Sequence, residues 1–226
     1  MEIIPSYWQS ITLNDLNNKA AMQTRMDRKY IVDADYAASV LAELPAEASV
    51  LEIEGQREFA YDSVYFDTPN LVSYYAAATE RPDRFKVRTR SYLDTNTCFL
   101  EVKTEGERAM TVKERIPYSI DDRDKLTEEG RQYVNEALYG ILDTPVISTG
   151  YRRTTIYLPA SEQNPVDSRL TIDRNLTWTP LSDHALYAGV TRENYHGHKV
   201  GIEYTIPGTV IIETKSGTAP SVADKH

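Results

Sequence analysis

The sequence contains a single cysteine, Cys98, which excludes an internal disulfide and favours a reducing, cytoplasmic location. No apolar run approaches the ~18 residues of a membrane-spanning helix, so we predict no membrane segment. The first residues have neither the basic nor the apolar region of a secretory signal peptide. Internal repeats and Pro/Gly/Ser-rich linkers are absent as well, and we therefore predict one domain over residues 1–226.

Basic residues are in the minority, at 25 Lys and Arg against 34 Asp and Glu, which gives a net charge of −9. This balance argues against a general nucleic-acid binder, whose surface is usually basic. The sequence also lacks a P-loop, a dinucleotide-binding glycine motif and a nucleophile elbow. A bound nucleotide would therefore have to be held by cationic side chains.

The chain does have many short segments that alternate between apolar and polar residues, as half-buried strands do. We predict helices at 10–21, 34–44, 71–79 and 121–139. We predict strands at 25–32, 49–54, 58–66, 83–93, 97–105, 110–119, 150–158, 169–178 and 209–215. About eight mostly sequential strands with helices between some of them indicate an α+β protein, built on an antiparallel sheet or barrel with helical cover.

The polar faces of these strands carry most of the information about function, because every second residue of a strand lies on the same face. In the strand 83–93, four cations share one face, opposite Phe85 and Val87. Applied to all the strands, the same alternation places eleven basic and four acidic residues on polar faces, within a chain that is acidic overall. These residues are Arg25, Lys29, Arg84, Lys86, Arg88, Arg90, Lys103, Lys113, Arg115, Arg153 and Lys215, with Asp27, Glu101, Asp173 and Glu213.

Two interpretations of these faces are open. For any one strand, the face could simply be solvated. Together, however, cations two residues apart on a strand repel by about 2–3 kcal/mol at ~7 Å and an effective dielectric near 20. Four carboxylates are too few to pair with eleven cations, which favours a multiply charged anion as the ligand.

If about eight strands close on themselves, the polar faces line a narrow lumen and the apolar faces lie under the helices. Such a lumen would accept a triphosphate or polyphosphate chain, whereas double-stranded nucleic acid would not fit. Arginine offers bidentate contacts to phosphate oxygens, and lysine offers a point charge. The few carboxylates suit a hard divalent cation that bridges carboxylate and phosphate oxygens.

Six short motifs follow one another in the chain and together resemble the VTC-type polyphosphate polymerase domain, a branch of the triphosphate tunnel metalloenzymes. The resemblance extends from about Arg25 to Lys215. The motifs are Arg25-Met26-Asp27-Arg28-Lys29-Tyr30, Tyr65-Phe66-Asp67-Thr68, Arg84-Phe85-Lys86-Val87-Arg88-Thr89-Arg90, Leu100-Glu101-Val102-Lys103, Lys113-Glu114-Arg115 and Ile212-Glu213-Thr214-Lys215.

This resemblance implies a closed eight-stranded antiparallel β tunnel barrel with a polar, basic lumen and helices packed outside. It also implies binding of ATP, triphosphate or inorganic polyphosphate with Mg²⁺ or Mn²⁺, and addition of a terminal phosphoryl group of ATP to a growing polyphosphate chain. The implied catalytic residues are Lys29, Arg88, Arg90, Lys103 and Arg153. The implied phosphate ligands are Arg25, Lys86, Lys113, Arg115, Tyr151 and Lys215, and the implied metal ligands are Glu213, Glu101 and Asp27.

The sequence departs from the family in two places. Asp27 stands where the first strand of the family usually has Glu, and the chain ends at His226, where relatives continue. We therefore interpret it as a truncated or reduced relative. Three activities stay open: polyphosphate synthesis, hydrolysis of tripolyphosphate or a nucleoside triphosphate, and polyphosphate binding without turnover. Single-stranded nucleic-acid binding is disfavoured, because the basic strand offers only Phe85, on its opposite face, and Tyr92 for base stacking.

Overall fold

The computed structural model describes residues 4–5, 7–20, 26–82, 84–105, 111–138, 144–162, 166–186 and 198–216. The chain forms two compact units. The first comprises Met1–Ala60, Tyr151–Leu176 and Ile206–His226, and the second comprises Tyr61–Gly150 and Thr177–Thr205. In the described part of the chain, no helix is long and apolar enough to span a membrane.

Strands dominate the described residues, so the predicted α+β class is confirmed. The helices are α1 (Leu13–Lys19), α2 (Ala34–Glu43), α3 (Val72–Ala78), α4 (Glu128–Leu138) and α5 (Asp183–Leu186). The strands are β1 (Gln9–Ile11), β2 (Met26–Asp33), β3 (Ser49–Leu51), β4 (Phe59–Asp67), β5 (Phe85–Tyr92), β6 (Thr97–Glu105), β7 (Thr111–Tyr118), β8 (Thr144–Leu158), β9 (Ser168–Pro180), β10 (Tyr204–Thr205) and β11 (Thr209–Ser216).

Two predicted helices begin later than expected, and a capping threonine explains each. Ser10 belongs to β1, and α1 begins at Leu13 because the Thr12 hydroxyl accepts a hydrogen bond from the Asp15 N–H. The predicted helix 121–139 is divided into a 3-10 turn over Ile120–Asp122 and α4. The Thr127 hydroxyl precedes α4 and accepts from the Gly130 N–H.

The predicted closed barrel is wrong, because the sheet is open. Its hydrogen-bonded order is β2-β11-β9-β8-β4-β5-β6-β7, with β1, β3 and β10 attached beside this path. Among the described residues no ladder joins β2 to β7, so the cations lie on a sheet face and not in a lumen. The sheet is also not purely antiparallel, since β1 and β3 pair in parallel. Alternation in sequence assigns a residue to a face but does not say whether the end strands pair, and closure requires that pairing.

In the first unit, one face of β8, β9 and β11 packs against α2. Leu41 of α2 lies in one buried cluster with Ile156, Ile172 and Ile212. Asp33 ends β2 and starts α2, since its carboxylate accepts the Tyr36 N–H at 2.7 Å. The opposite face of these strands is therefore left for polar residues.

In the second unit, strands β4 to β6 place their apolar face against α4. Val87, Leu100 and Val102 are buried with Val134 of α4. Glycine at position 130 permits this approach, because a Cβ there would lie 2.8 Å from the Tyr118 hydroxyl. The cations of β5 consequently lie on the face away from this cluster.

Asp67 organises the connection between β4 and α3. It is 4% exposed, and its carboxylate accepts hydrogen bonds from the N–H groups of Thr68 (2.7 Å), Ser73 (2.9 Å) and Tyr74 (2.9 Å). The motif residue Asp67 thus has a structural role, which is to hold α3 at the end of β4.

We expect Asp67→Ala to lower the free energy of unfolding by about 2 kcal/mol, because it leaves buried N–H groups without an acceptor. Urea denaturation followed by circular dichroism measures the change. The control is Asp124→Ala, which removes an exposed carboxylate from the same unit. Equal stability of the two variants would contradict the structural role of Asp67.

Candidate functional site

The second unit carries a dense set of cations across β5, β6 and β7. Residues that face one another across a ladder lie on the same side of a sheet. Lys86 lies opposite Lys103, which lies opposite Lys113. In the next row, Arg88 lies opposite Glu101, which lies opposite Arg115. We call this set, together with Arg90, the cationic grid: Lys86, Arg88, Arg90, Glu101, Lys103, Lys113 and Arg115.

The lysine row places like charges on directly opposed residues. Such residues have Cβ atoms about 4.5–5.5 Å apart, and like charges in this arrangement destabilise a sheet. Lys86, Lys103 and Lys113 are all exposed. The strand register thus brings three ammonium groups to one side of the sheet.

Glu101 is the carboxylate at the centre of the grid, and its side chain is only 2% exposed. Its Oε2 lies 2.8 Å from Nη2 of Arg88, and its Oε1 lies 2.5 Å from Nζ of Lys113. Burial opposes ionisation of this carboxyl group, but the charge of Arg88 and the hydrogen bond from Lys113 outweigh burial and lower its pKa. Glu101 is therefore an anion buried among cations.

The positive potential of the grid also acts on Lys113 and Tyr65. Burial lowers the pKa of Lys113, Glu101 opposes that shift, and the charges of Arg88 and Arg90 add to it. Burial raises the pKa of Tyr65, but the neighbouring guanidinium groups of Arg88 and Arg90 more than reverse this effect and lower it. The Tyr65 hydroxyl accepts a hydrogen bond from Nη1 of Arg88 at 3.1 Å.

The grid contains six cations and one carboxylate. Glu105, which is not among the predicted site residues, lies at the end of β6 and pairs with Arg84 at 2.7 Å, beside the grid. The grid thus presents guanidinium forks and lysine charges on one side of three neighbouring strands. Such an arrangement can bind several oxygens of one multiply charged anion.

The first unit has a second charged cluster around Glu213, which is 7% exposed. One of its carboxylate oxygens lies 3.3 Å from Nζ of Lys215, and the other lies 3.9 Å from Nη2 of Arg153 and 4.0 Å from Nζ of Lys29. Arg153 also donates to both oxygens of Asp173, at 2.6 and 2.7 Å. We call Lys29, Arg153, Asp173, Glu213 and Lys215 the Glu213 cluster.

Electrostatics in the Glu213 cluster follow the pattern of the grid. Burial opposes ionisation of Glu213, but the charges of Lys215, Lys29 and Arg153 lower its pKa. Burial also disfavours the charged form of Arg153, but the Asp173 hydrogen bonds and charge raise its pKa. The Tyr151 ring lies 5.1 Å from the Arg153 guanidinium carbon.

Arg169 is a further member of the same face and is absent from the predicted site residues. Arg169 lies opposite Lys215 in the ladder between β9 and β11. It has the same parity as Thr171 and Asp173 along β9, so alternation within the predicted strand 169–178 was a sufficient signal to identify it.

The structure brings the predicted site residues together in two groups. The cationic grid contains Lys86, Arg88, Arg90, Glu101, Lys103, Lys113 and Arg115 in the second unit. Asp27, Lys29, Tyr151, Arg153, Glu213 and Lys215 lie in the first unit, and Arg25 lies outside the described residues. The predicted metal ligands are thus divided between the units, and within the described ranges no three His, Cys, Asp or Glu side chains form a group that could hold a metal ion.

We expect Glu101→Gln to lower the free energy of unfolding at pH 7 by about 3 kcal/mol, because it leaves partly buried cations without their counter-ion. The lowered pKa of Glu101 means that its contribution is present above the unfolded-state pKa of about 4.3 and is lost as the pH falls further. As the pH falls below about 4.3, the free energy of unfolding should therefore decrease less in the variant than in the wild type. Urea denaturation across this pH range measures both effects.

Glu128→Gln is the matched control, because the Glu128 side chain is 91% exposed and pairs only with a surface arginine among the described residues. It should change the unfolding free energy by less than about 0.5 kcal/mol. A loss in Glu101→Gln no greater than in this control would show that Glu101 does not hold the grid together.

A family model described as the VTC domain matches residues 24–224 of the chain. No match was found among curated proteins. Solved structures to which this chain is similar include a protein from Vibrio parahaemolyticus proposed to be an adenylate cyclase, with 11% identity and a TM-score of 0.41 over 85% of this chain and 75% of that one. HpAC1 from Hippeastrum, proposed to be an adenylyl cyclase and described as having a dominant triphosphatase activity, has 13% identity and a TM-score of 0.41 over 87% of this chain and 81% of that one. A conserved hypothetical protein from Pyrococcus furiosus has 11% identity and a TM-score of 0.40 over 89% and 83%.

Proposed function

The chain belongs to the VTC domain family, and on that premise we propose that it binds the phosphate groups of ATP, triphosphate or inorganic polyphosphate and transfers a terminal phosphoryl group. The acceptor in the favoured reaction is a polyphosphate chain. The bond between the terminal and penultimate phosphates of ATP breaks, a new P–O–P linkage forms, and ADP leaves.

The observation that carries the proposal is the lysine row of the cationic grid. A sheet face that only needed to be soluble would alternate charge signs across its ladders. Here Lys103 has a lysine opposite it on both sides, and the adjacent row holds two arginines around Glu101. A phosphate chain placed on this face offsets the repulsion, because its oxygens accept charge-assisted hydrogen bonds from several of these cations at once.

The chemistry requires little else from the protein. Phosphoryl transfer is accelerated mainly by positioning and by neutralising charge on the oxygens of the transferring group. The guanidinium of Arg88 is fixed by Glu101 and by the Tyr65 hydroxyl, so it is already oriented before a ligand arrives. Hydrolysis and binding without turnover remain alternatives, because both use the same cations. In hydrolysis water accepts the phosphoryl group, and in binding without turnover no phosphoryl group is transferred.

A divalent metal, Mg²⁺ or Mn²⁺, fits the Glu213 cluster as an ion held jointly with phosphate. Mg²⁺ commonly binds one or two carboxylates together with substrate phosphates. Three cations surround Glu213, and they disfavour a metal ion that has no phosphate attached. Glu213 would be its main protein ligand, and Asp27 is the second candidate in the same unit. When bound, the ion would neutralise phosphate charge.

We expect the double variant Lys86→Ala/Lys103→Ala to bind tripolyphosphate at least tenfold more weakly, because each charge-assisted contact contributes about 1.5–3 kcal/mol. The salt dependence of binding should also become shallower. Removing a like-charged pair should leave the unfolding free energy unchanged or raise it by up to about 1 kcal/mol. Calorimetric titration and urea denaturation measure these quantities.

Lys125→Ala is the control for this experiment, since Lys125 is an exposed lysine of the same unit that pairs with Asp122 outside the grid. It should bind tripolyphosphate with wild-type affinity. Full affinity in the double variant would refute binding of phosphate on the grid. Phosphate-release and polymer-length assays on the wild type then separate polymerase, hydrolase and binder.

We expect Glu213→Gln to abolish Mn²⁺-dependent turnover while metal-free tripolyphosphate binding is kept or strengthened, because a negative charge leaves a cluster of three cations. Calorimetric titration with and without Mn²⁺ measures binding, and phosphate release measures turnover. The control is Glu47→Gln, an exposed carboxylate of the same unit. Unchanged metal-dependent turnover in Glu213→Gln would overturn the assignment of Glu213.

A further inference from the structure

Three aromatic side chains lie beside the arginines on the face of the cationic grid. Tyr61 lies opposite Tyr92 across the β4–β5 ladder, and Phe99 lies opposite Arg90 across the β5–β6 ladder. All three rings are half-buried, and all belong to the second unit. We call Tyr61, Tyr92 and Phe99 the aromatic row.

The rings contact one another at steep angles. Tyr61 and Tyr92 have centroids 5.0 Å apart at an interplanar angle of 57°, and Tyr92 and Phe99 have centroids 6.1 Å apart at 90°. Parallel stacking within the row would cover the ring faces. These tilted and edge-on contacts do not lay the face of one ring on the face of another.

Guanidinium groups of the grid contact the same rings. The guanidinium carbon of Arg90 lies 5.8 Å from the Tyr61 centroid, and that of Arg115 lies 4.4 Å from the Phe99 centroid. Cations interleaved with aromatic rings are the combination that proteins use to hold bases and their attached phosphates. Aromatic residues that only filled a core would lie on the opposite face, with Val87 and Leu100.

The order of residues along β5 gives the site a direction. Lys86, Arg88, Arg90 and Tyr92 follow one another on the face of the grid, from the lysine row to the aromatic row. Lys86 and Tyr92 are six residue steps apart, and six steps of an extended strand span about 20 Å. This distance is comparable to the length of an extended nucleoside triphosphate, with the base at one end and the terminal phosphate at the other.

We propose that the aromatic row is a nucleobase-stacking site, which holds the base of a nucleoside triphosphate near Tyr92 and directs its terminal phosphate toward Lys86 and Lys103. This inference rests on the proposed function and extends it, because it makes a nucleotide, and not an inorganic phosphate chain, the ligand at the Tyr92 end of the grid. Recognition of the base by stacking does not by itself select between purines, since both present an aromatic face.

The test compares ATP with methyl triphosphate, which has the triphosphate but no base. Calorimetric titration should show that Tyr92→Ala weakens ATP binding by about tenfold and leaves methyl triphosphate binding unchanged, since a stacked base is lost. Tyr92→Phe, which keeps the ring, should retain ATP affinity. Tyr74→Ala, which removes a 43% exposed tyrosine of α3, is the control and should bind both ligands as the wild type does.

A second measurement needs no variant. Saturation-transfer NMR on ATP with the wild-type protein should show the strongest saturation at the H2 and H8 protons of adenine. Equal losses of both ligands in Tyr92→Ala, full retention of ATP affinity in that variant, or absence of saturation on the base would each overturn the stacking site while the phosphate-binding function stands. Failure of the wild type to bind either ligand would overturn the proposed function and this inference together.

Discussion

The charged face of each unit depends on the ion pairs between one buried, ionised carboxylate and the cations around it. In the second unit, Glu101 accepts contacts from Arg88 and Lys113. In the first unit, Glu213 has Lys29, Arg153 and Lys215 around it. In both places burial alone would favour the neutral acid, and neighbouring positive charge keeps the group ionised. The carboxylate in turn permits the strands to carry cations that would otherwise repel one another.

On both charged faces, cations outnumber the carboxylates that they surround. The lysine row shows this best, since the register of β5, β6 and β7 opposes three lysines directly. Structural stability alone would favour an alternation of signs there. Repulsion between neighbouring cations is relieved when a strongly charged anion binds to them. Phosphate oxygens can do this because each accepts charge-assisted hydrogen bonds. Membership of the VTC domain family is consistent with a ligand of this kind.

Packing on the opposite faces makes this possible. In each unit a helix covers one side of the strands, α2 in the first and α4 in the second, and buried apolar residues such as Ile172 and Leu100 lie on that side. The second unit depends on close approach of α4 at Gly130, and on the Asp67 carboxylate that fixes α3 after β4. These contacts hold the backbone of β4 and β5, and with it the positions of Tyr61, Arg88, Arg90 and Tyr92. The packed core on the reverse side thus supports the backbone of the strands, and the ion pairs of Glu101 orient Arg88 and Lys113 on the face of the grid.

The sequence by itself determined which residues lie on the charged faces, because strand alternation is a local property: the alternating segment from Arg84 to Arg90 is sufficient to place Lys86, Arg88 and Arg90 on one side. It also determined the α+β class and most element positions, since capping and turn residues such as Asp33 act on their immediate neighbours. Only the tertiary structure decided what those faces contact. Strand pairing joins residues that are far apart in sequence, so the lysine row, the pairing of Arg153 with Asp173 and the neighbourhood of Tyr61 with Tyr92 are invisible in any one segment. Closure of the sheet is likewise decided by whether its end strands pair, and no residue pattern within a strand encodes the partner that strand will find.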